Sequence, residues 1–252
     1  MMNHCKKKRI GTLSVLVALC LALSACSEGE RDNADSPVPS QSIEKEEKQD
    51  INSAAVTDSK TVYAFDDDTS VVTMYLTVRR GNSGENTDHS WDEVNGYSVF
   101  DYARLNVDRY QTEAILQVGD ENGPQAGQLG YGVTIPNATV QIRGNTTSTA
   151  AQKSFKIKLK KDKGDWNGQR TIALNKHPYD PVRFRNKLSY DLIKTIPGMI
   201  GARTQFVHLY VKDETNGNAS AVFQDYGLFT QVEQLNTRYL RNHGLDESGQ
   251  LY

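Results

Sequence analysis

The sequence predicts an α+β fold, a mostly antiparallel sheet with one main helix, and three observations carry that prediction. Phe155, Ile157 and Leu159 alternate with Ser154, Lys156 and Lys158, the period-2 pattern of a half-buried strand. Further β-branched and aromatic runs are separated by Gly-, Asn- and Asp-rich stretches. Only one segment places large apolar residues, Phe184, Leu188 and Leu192, at four-residue spacing behind a helix-start signal.

Taken in order, Val71 to Val78 begins the folded part as a strand, and the polar stretch Arg79 to Asn95 reads as a loop. A short helix spans Val99 to Leu105. Strands are expected over Tyr110 to Val118 and within Val133 to Ile142, with the glycine-rich Gly119 to Gly132 as a loop between them. The alternating strand Ser154 to Leu159 follows, then a turn over Lys160 to Gly168 and a strand at Thr171 to Leu174. Asp180 as N-cap and Pro181 at the first helical position open the main helix, which ends before Pro197-Gly198. This helix is placed after the third or fourth strand of the sheet. Phe206 to Val211 and Tyr226 to Val232 are strands joined by a long hairpin loop. Asn236 to His243 reads as a helix stopped by Gly244.

Charge and cysteine usage narrow the function classes. The chain of 252 residues carries 29 Lys+Arg against 31 Asp+Glu, the profile of one domain with appendages and no basic excess, so nucleic acid is not an expected partner. The three cysteines, Cys5, Cys20 and Cys26, all precede the folded part, which excludes thiolate metal sites and cysteine nucleophiles from it. Lys6-Lys7-Lys8-Arg9 followed by the apolar run Ile10 to Leu23 has the layout of a secretory signal. Leu23-Ser24-Ala25-Cys26 resembles the bacterial lipobox, which makes 1–25 a lipoprotein signal peptide and Cys26 the lipidated residue. Removing 1–25 takes away four positive charges and no negative ones, leaving an acidic chain anchored outside the cytoplasmic membrane. Residues 26–60 are too polar to bury a core and read as a flexible tether, ahead of a domain at 61–252.

No Walker A run, H-E-x-x-H, G-x-S-x-G or C-x-x-C occurs. Asp225-Tyr226-Gly227 imitates a metal-binding D-F-G but lacks a preceding catalytic loop and reads as the start of a hairpin strand. The three Asn-x-Ser/Thr sites read as bare loop asparagines, and Asp66-Asp67-Asp68 as a solvated charge run. Arg143-Gly144-Asn145-Thr146-Thr147-Ser148-Thr149 lies between two expected strands, with Lys153, Lys156 and Lys158 following. Backbone N–H groups and hydroxyls of such a loop can cradle phosphate oxygens while a lysine neutralises them.

Four blocks, Val140 to Asn145, Gln152 to Ile157, Phe184 to Leu192 and Tyr226 to Gln234, together resemble the spore coat protein H (CotH) kinase family, over roughly residues 70 to 252. The resemblance implies a kinase-like N-terminal lobe and an atypical, secreted or surface-bound protein kinase that uses ATP and Mg2+ or Mn2+ to phosphorylate Ser or Thr of a protein substrate. It makes Arg143, Gly144, Asn145 and Ser148 part of a phosphate-covering loop, and Lys153, Lys156 or Lys158 the phosphate-pairing lysine. It assigns Arg185 and Asn186 to an Arg-Asn motif on the bracing helix, where an ion-pair brace would need an acid such as Asp191. Glu233 falls near the adenine, at the end of the strand running to the hinge.

The carboxylates that hold metal and orient the attacking hydroxyl lie, in the family, beyond the hinge. The chain ends at Leu251-Tyr252, an ending that reads as a strand just beginning. The expectation is therefore a truncated gene model, a frameshift or a fragment, with the C-terminal catalytic lobe and all catalytic residues lacking and little activity by itself. Two other readings stand beside it: a non-catalytic surface lipoprotein scaffold in spore-coat or envelope assembly, and a carbohydrate- or peptide-binding module using Trp91, Trp166 and the tyrosines.

Overall fold

Eight strands form one mixed sheet: β1 (Val71–Arg79), β2 (Thr112–Asp120), β3 (Gly123–Pro124), β4 (Ala138–Arg143), β5 (Ser154–Leu159), β6 (Thr171–Asn175), β7 (Thr204–Asp213) and β8 (Gln224–Glu233), in the spatial order β1-β7-β8-β6-β5-β4-β2-β3. The computed structural model describes residues 58–66, 69–218 and 220–251, so the signal peptide, Cys26 and nearly all of the tether lie outside the described residues. Every pairing is antiparallel except β1 with β7. Because β1 also pairs with β2, seven strands close into a circuit, with β3 attached to β2. Closure satisfies backbone groups that an open sheet would leave at its edges.

The circuit is narrowest in hydrogen bonding at β2–β4, which pair only from Thr112 to Ala114. Just before β4 begins, the buried Asn137 side chain extends the ladder: its Oδ1 accepts from Leu116 N at 2.8 Å and its Nδ2 donates to Leu116 O at 2.9 Å. Inside the circuit Phe155, Ile157 and Leu159 are at most 1% exposed and pack with Met74, Leu76, Val140, Leu174 and Leu209, while Lys156 and Lys158 point outward. Each such side chain contributes up to about 1.5–3 kcal/mol through burial. Trp91 and Trp166 are also buried in this core.

One short helix occupies the end of the segment expected as loop, and a second follows it. Before α1 (Trp91–Gly96) and α2 (Val99–Leu105), Ser90 and Ser98 form capping boxes with Glu93 and Asp101. The Ser-x-x-Glu spacing in a polar stretch is the signal that the loop reading passed over. The helix α2 has the expected bounds. α4 (Thr237–Asn242) is capped by Asn236, whose Oδ1 accepts from Tyr239 N at 3.1 Å.

The main helix, α3 (Arg185–Thr195), departs from expectation in start, position and orientation. It follows the sixth strand, and it begins four residues after Pro181, with Phe184 as an N-cap that makes no side-chain bond. Asp180 instead accepts from Val182 N inside a turn, and Arg183 at φ +60° interrupts any continuous helix from Pro181. The four-residue apolar stripe faces away from the core: Phe184, Leu188 and Leu192 are 43%, 45% and 56% exposed, whereas Lys187 is 3% exposed. Lys187 holds Asp191 at 2.7 Å, and Asp191 accepts from Thr204 of β7 at 3.0 Å, so the inner side of α3 is seated by polar contacts. Among the described residues no helix is long and apolar enough to cross a membrane.

Candidate phosphate-binding face

The pleat of β4 and β5 determines which candidate residues meet. Cross-strand pairing sets Gln141 beside Lys156 and Thr139 beside Lys158, with Arg143 at the end of β4 opposite Ser154. Arg143 Nη1 donates to Asn175 Oδ1 at the end of β6, and Asn175 Nδ2 donates to Asn186 Oδ1 on α3 at 3.3 Å. Two residues far apart in the chain, Arg143 and Asn186, are thus joined through a third that sequence reasoning did not single out. Arg109 completes the face, donating from Nη1 to Ile142 O at 3.4 Å and from Nη2 to Asn145 Oδ1 at 3.2 Å.

Four cations, Arg109, Arg143, Lys156 and Lys158, therefore sit on one face, and none forms an ion pair among the described residues. Burial lowers the pKa of Lys156, and the charges of Arg109, Lys158 and Arg143 lower it further. Arg143 is lowered mainly by burial, with Tyr190 opposing and Arg109 adding to the effect. Partly buried cations held close together without a counter-charge are an arrangement that an incoming anion relieves. Next to them, His177 has a buried Nε2 with no hydrogen-bond partner among the described residues, and burial lowers its pKa, with Asp180 opposing and Arg143 and Arg183 adding to the effect.

The loop after β4 is held by its own contacts. Gly144 sits at φ +87°, where a Cβ would lie 2.1 Å from Thr147 Oγ1, so the turn requires glycine both sterically and conformationally. Asn145 leads into a 3-10 turn, Thr146–Thr149. Ser148, 1% exposed, accepts from Val99 N at 3.0 Å and donates to Asn145 O at 2.5 Å, so its hydroxyl ties the loop to the start of α2. Lys153 Nζ donates to Ser148 O at 2.6 Å, and burial lowers its pKa.

The remaining candidates lie apart. Arg185 is exposed at the start of α3, 3.7 Å from Asp180. The Asp191 carboxylate is shared by Lys187, Lys194 and Thr204, and makes no ion pair with Lys153, Lys156 or Lys158. Glu233, 3% exposed, is clasped by Arg203 through Nη2 at 2.6 Å and Nε at 3.1 Å, and contacts His243 Nε2 at 3.0 Å. Burial alone would raise its pKa, but the His243 and Arg203 hydrogen bonds and the Arg203 charge hold it at about 2. Asp225 and Gly227 form part of strand β8, where Asp225 Oδ1 meets His208 Nε2 at 2.7 Å. Sequence reasoning also passed over Lys176 and His177, whose only advance signal is a basic pair directly after a strand.

The sheet face thus carries clustered cations, a glycine-dependent loop at its end and a helix linked to both. Residues 140–252, just under half of the chain, match the family model described as CotH kinase protein. The match begins within β4 and contains all four blocks on which the resemblance rests, but not β1, β2 or the helices between them. No curated protein matches the chain.

Proposed function

We propose that this chain carries the nucleotide-binding half of an extracytoplasmic, atypical Ser/Thr protein kinase, held to the membrane by lipid on Cys26. The observation that carries the reading is the cluster of Arg143 and Lys156, half-buried cations without ion-pair partners among the described residues, inside the segment that matches the CotH kinase model. Buried or half-buried charges are costly unless compensated, and the phosphates of ATP are the compensation a kinase-like site takes. Arg143 and Lys156 would meet phosphate oxygens, with Arg109 and Lys158 beside them and the Gly144–Ser148 backbone over them. Asn186 acts through Asn175, orienting the Arg143 guanidinium.

The orphaned His177 Nε2 beside Arg143 is a further polar group available to a ligand there. Bound Mg2+ or Mn2+ would supply neutralisation of the charge on the transferred phosphoryl group. Among the described residues no group of three or more His, Cys, Asp or Glu side chains is placed to hold that metal.

Calorimetric titration of the full chain with ATP tests the reading. Saturable binding that Lys156→Met weakens at least about tenfold, equivalent to about 1.4 kcal/mol, is the expected result. Absence of ATP binding, or binding indifferent to both Lys156→Met and Arg143→Met, would favour a surface scaffold without nucleotide chemistry.

A further inference from the structure

A second polar cavity lies on the opposite side of the β5 strand from the cationic face. The antiparallel order brings the start of β5, the end of β6 and the start of β8 to one end of the circuit, where with α1 they border a cavity of about 390 Å³. Phe155 faces into it while the next residue, Lys156, faces out, so the sheet separates the two places. Trp91, Tyr226 and Phe229 supply further apolar wall. Lys153 and Lys176 supply amines, and neither forms an ion pair among the described residues.

Lys176 is the unusual member, being 7% exposed. Its Nζ donates to Tyr226 O and, at 3.3 Å, to Leu228 O, and lies 4.3 Å from the centre of the Phe229 ring. A kink in β8 presents those carbonyls: the register slips between Leu209 and Tyr210, Gly227 adopts φ +70°, and Asp225 Oδ1 accepts from Gly227 N at 2.6 Å. The same kink turns the Tyr226 hydroxyl to accept from Trp91 Nε1 at 2.8 Å. An ammonium has three N–H donors, and two carbonyls leave one unmatched. Lys153 gives one N–H to Ser148 O and keeps two. Burial pushes the Lys176 pKa down to about 8, the direction of an amine that lacks a counter-ion.

We propose that this cavity binds a small organic anion, with one carboxylate or phosphate head on Lys153 and Lys176 and an apolar body against Trp91 and Tyr226. The size is that of a small-molecule site. Two acids, Asp92 and Asp225, also line it and are largely exposed, so negative charge stands at the mouth and amines stand deeper. That gradient admits one anionic head on an apolar ligand and opposes a polyanion such as ATP.

The test is titration of the full chain with benzoate, phenyl phosphate and benzylamine, followed by tryptophan fluorescence and calorimetry. The expected result is saturable binding of at least one of the two anions, none of benzylamine, at least a tenfold loss in Lys176→Met, and no loss in Lys156→Met. Benzoate against phenyl phosphate distinguishes the carboxylate from the phosphate source. If neither anion binds, if benzylamine binds equally well, or if Lys156→Met removes binding as fully as Lys176→Met, the proposal falls. Displacement of the bound anion by ATP, with loss of ATP binding in Lys176→Met, would assign the cavity to the nucleotide and also overturn it.

A readout on the unsubstituted protein guards against misfolding of the Lys176→Met variant. Pyridoxal phosphate condenses with a free amine to an imine and water, and borohydride supplies the hydride that reduces the imine to a stable secondary amine. Peptide mapping is expected to find Lys176 labelled and protected by the anion that binds. A Lys176 left unlabelled while surface lysines react, or labelled without protection, contradicts the proposal.

Discussion

Two charge clusters flank the same sheet and treat their charges in opposite ways. At the end of β8, Glu233 is held by Arg203 and His243, and His243 Nδ1 meets Asp58 at 2.9 Å. The Tyr63 hydroxyl lies within hydrogen-bond reach of the same Asp58 and, at 2.7 Å, of Gly201 O, tying the 3-10 turn Lys60–Phe65 to the segment before β7. Each carboxylate there has a basic side chain in contact. On the outer face of β4 and β5, Arg143 donates to the neutral Asn175, Lys156 is surrounded by the charges of Arg109, Lys158 and Arg143, and neither forms an ion pair among the described residues. Matched charges hold a fold together, and unmatched ones are kept at a cost in stability that a ligand can offset. Glu233 and Arg143 were both sequence candidates for nucleotide binding, but only Arg143 belongs to the unmatched class.

The sharpest break in this comparison is Glu233→Gln. It leaves the Arg203 guanidinium buried beside a neutral amide, and removal of one partner from a buried pair costs about 3–5 kcal/mol. Urea unfolding should register that loss. The pH dependence has a definite sign. The Glu233 carboxyl is held at about 2 in the fold against an ordinary 4.5, so on acidification the unfolded chain takes up its proton first. This contribution to stability is fully present above pH 4.5 and declines as pH falls from there towards about 2. Glu233→Gln should flatten that part of the stability curve. An equal acid slope in wild type and variant would show that the pair does not carry it.

The opposite outcome is expected of Arg143→Met and Lys156→Met. Removing a half-buried cation that has no counter-ion should leave stability unchanged or raise it by up to about 1 kcal/mol, while anion affinity falls. Urea midpoints and ATP titrations on the same samples check both halves. A large loss of stability in either variant would move that residue into the same class as Glu233.

The difference between the clusters was only partly legible in the chain. Period-2 alternation in Ser154–Leu159 determined that Lys156 and Lys158 share a face, because strand geometry is local. The block order in 140–252 brought Arg143 and Asn186 into one reading before Asn175 was seen to join them. Closure of the circuit through β1 and β2 had no local signal, since it depends on pairing residues as distant as Val78 and Ala114, and Val71 and Phe206. The face of α3 misled for a related reason. Its apolar spacing is real, but Lys187 and Asp191 find Thr204 on β7, and that polar seating decides which side turns inward. Glu233 looked like a ligand contact because its basic partners, Arg203 and His243, lie 30 and 10 positions away.

The smallest expected effect separates loop support from ligand contact. Ser148 stands in the loop beside the cationic face, yet its hydroxyl accepts from Val99 N and donates to Asn145 O, both within the fold. Ser148→Ala removes a helix-start acceptor, which costs about 1 kcal/mol at comparable positions, and leaves the Val99 N–H without that partner. Lys153, bonded to the Ser148 backbone carbonyl and not to its hydroxyl, keeps its contact in the variant. The expected outcome is therefore a small fall in the urea midpoint with ATP affinity within about twofold of wild type. A larger loss of affinity than of stability would place the hydroxyl on the ligand and extend the unmatched cluster from the sheet face into the loop.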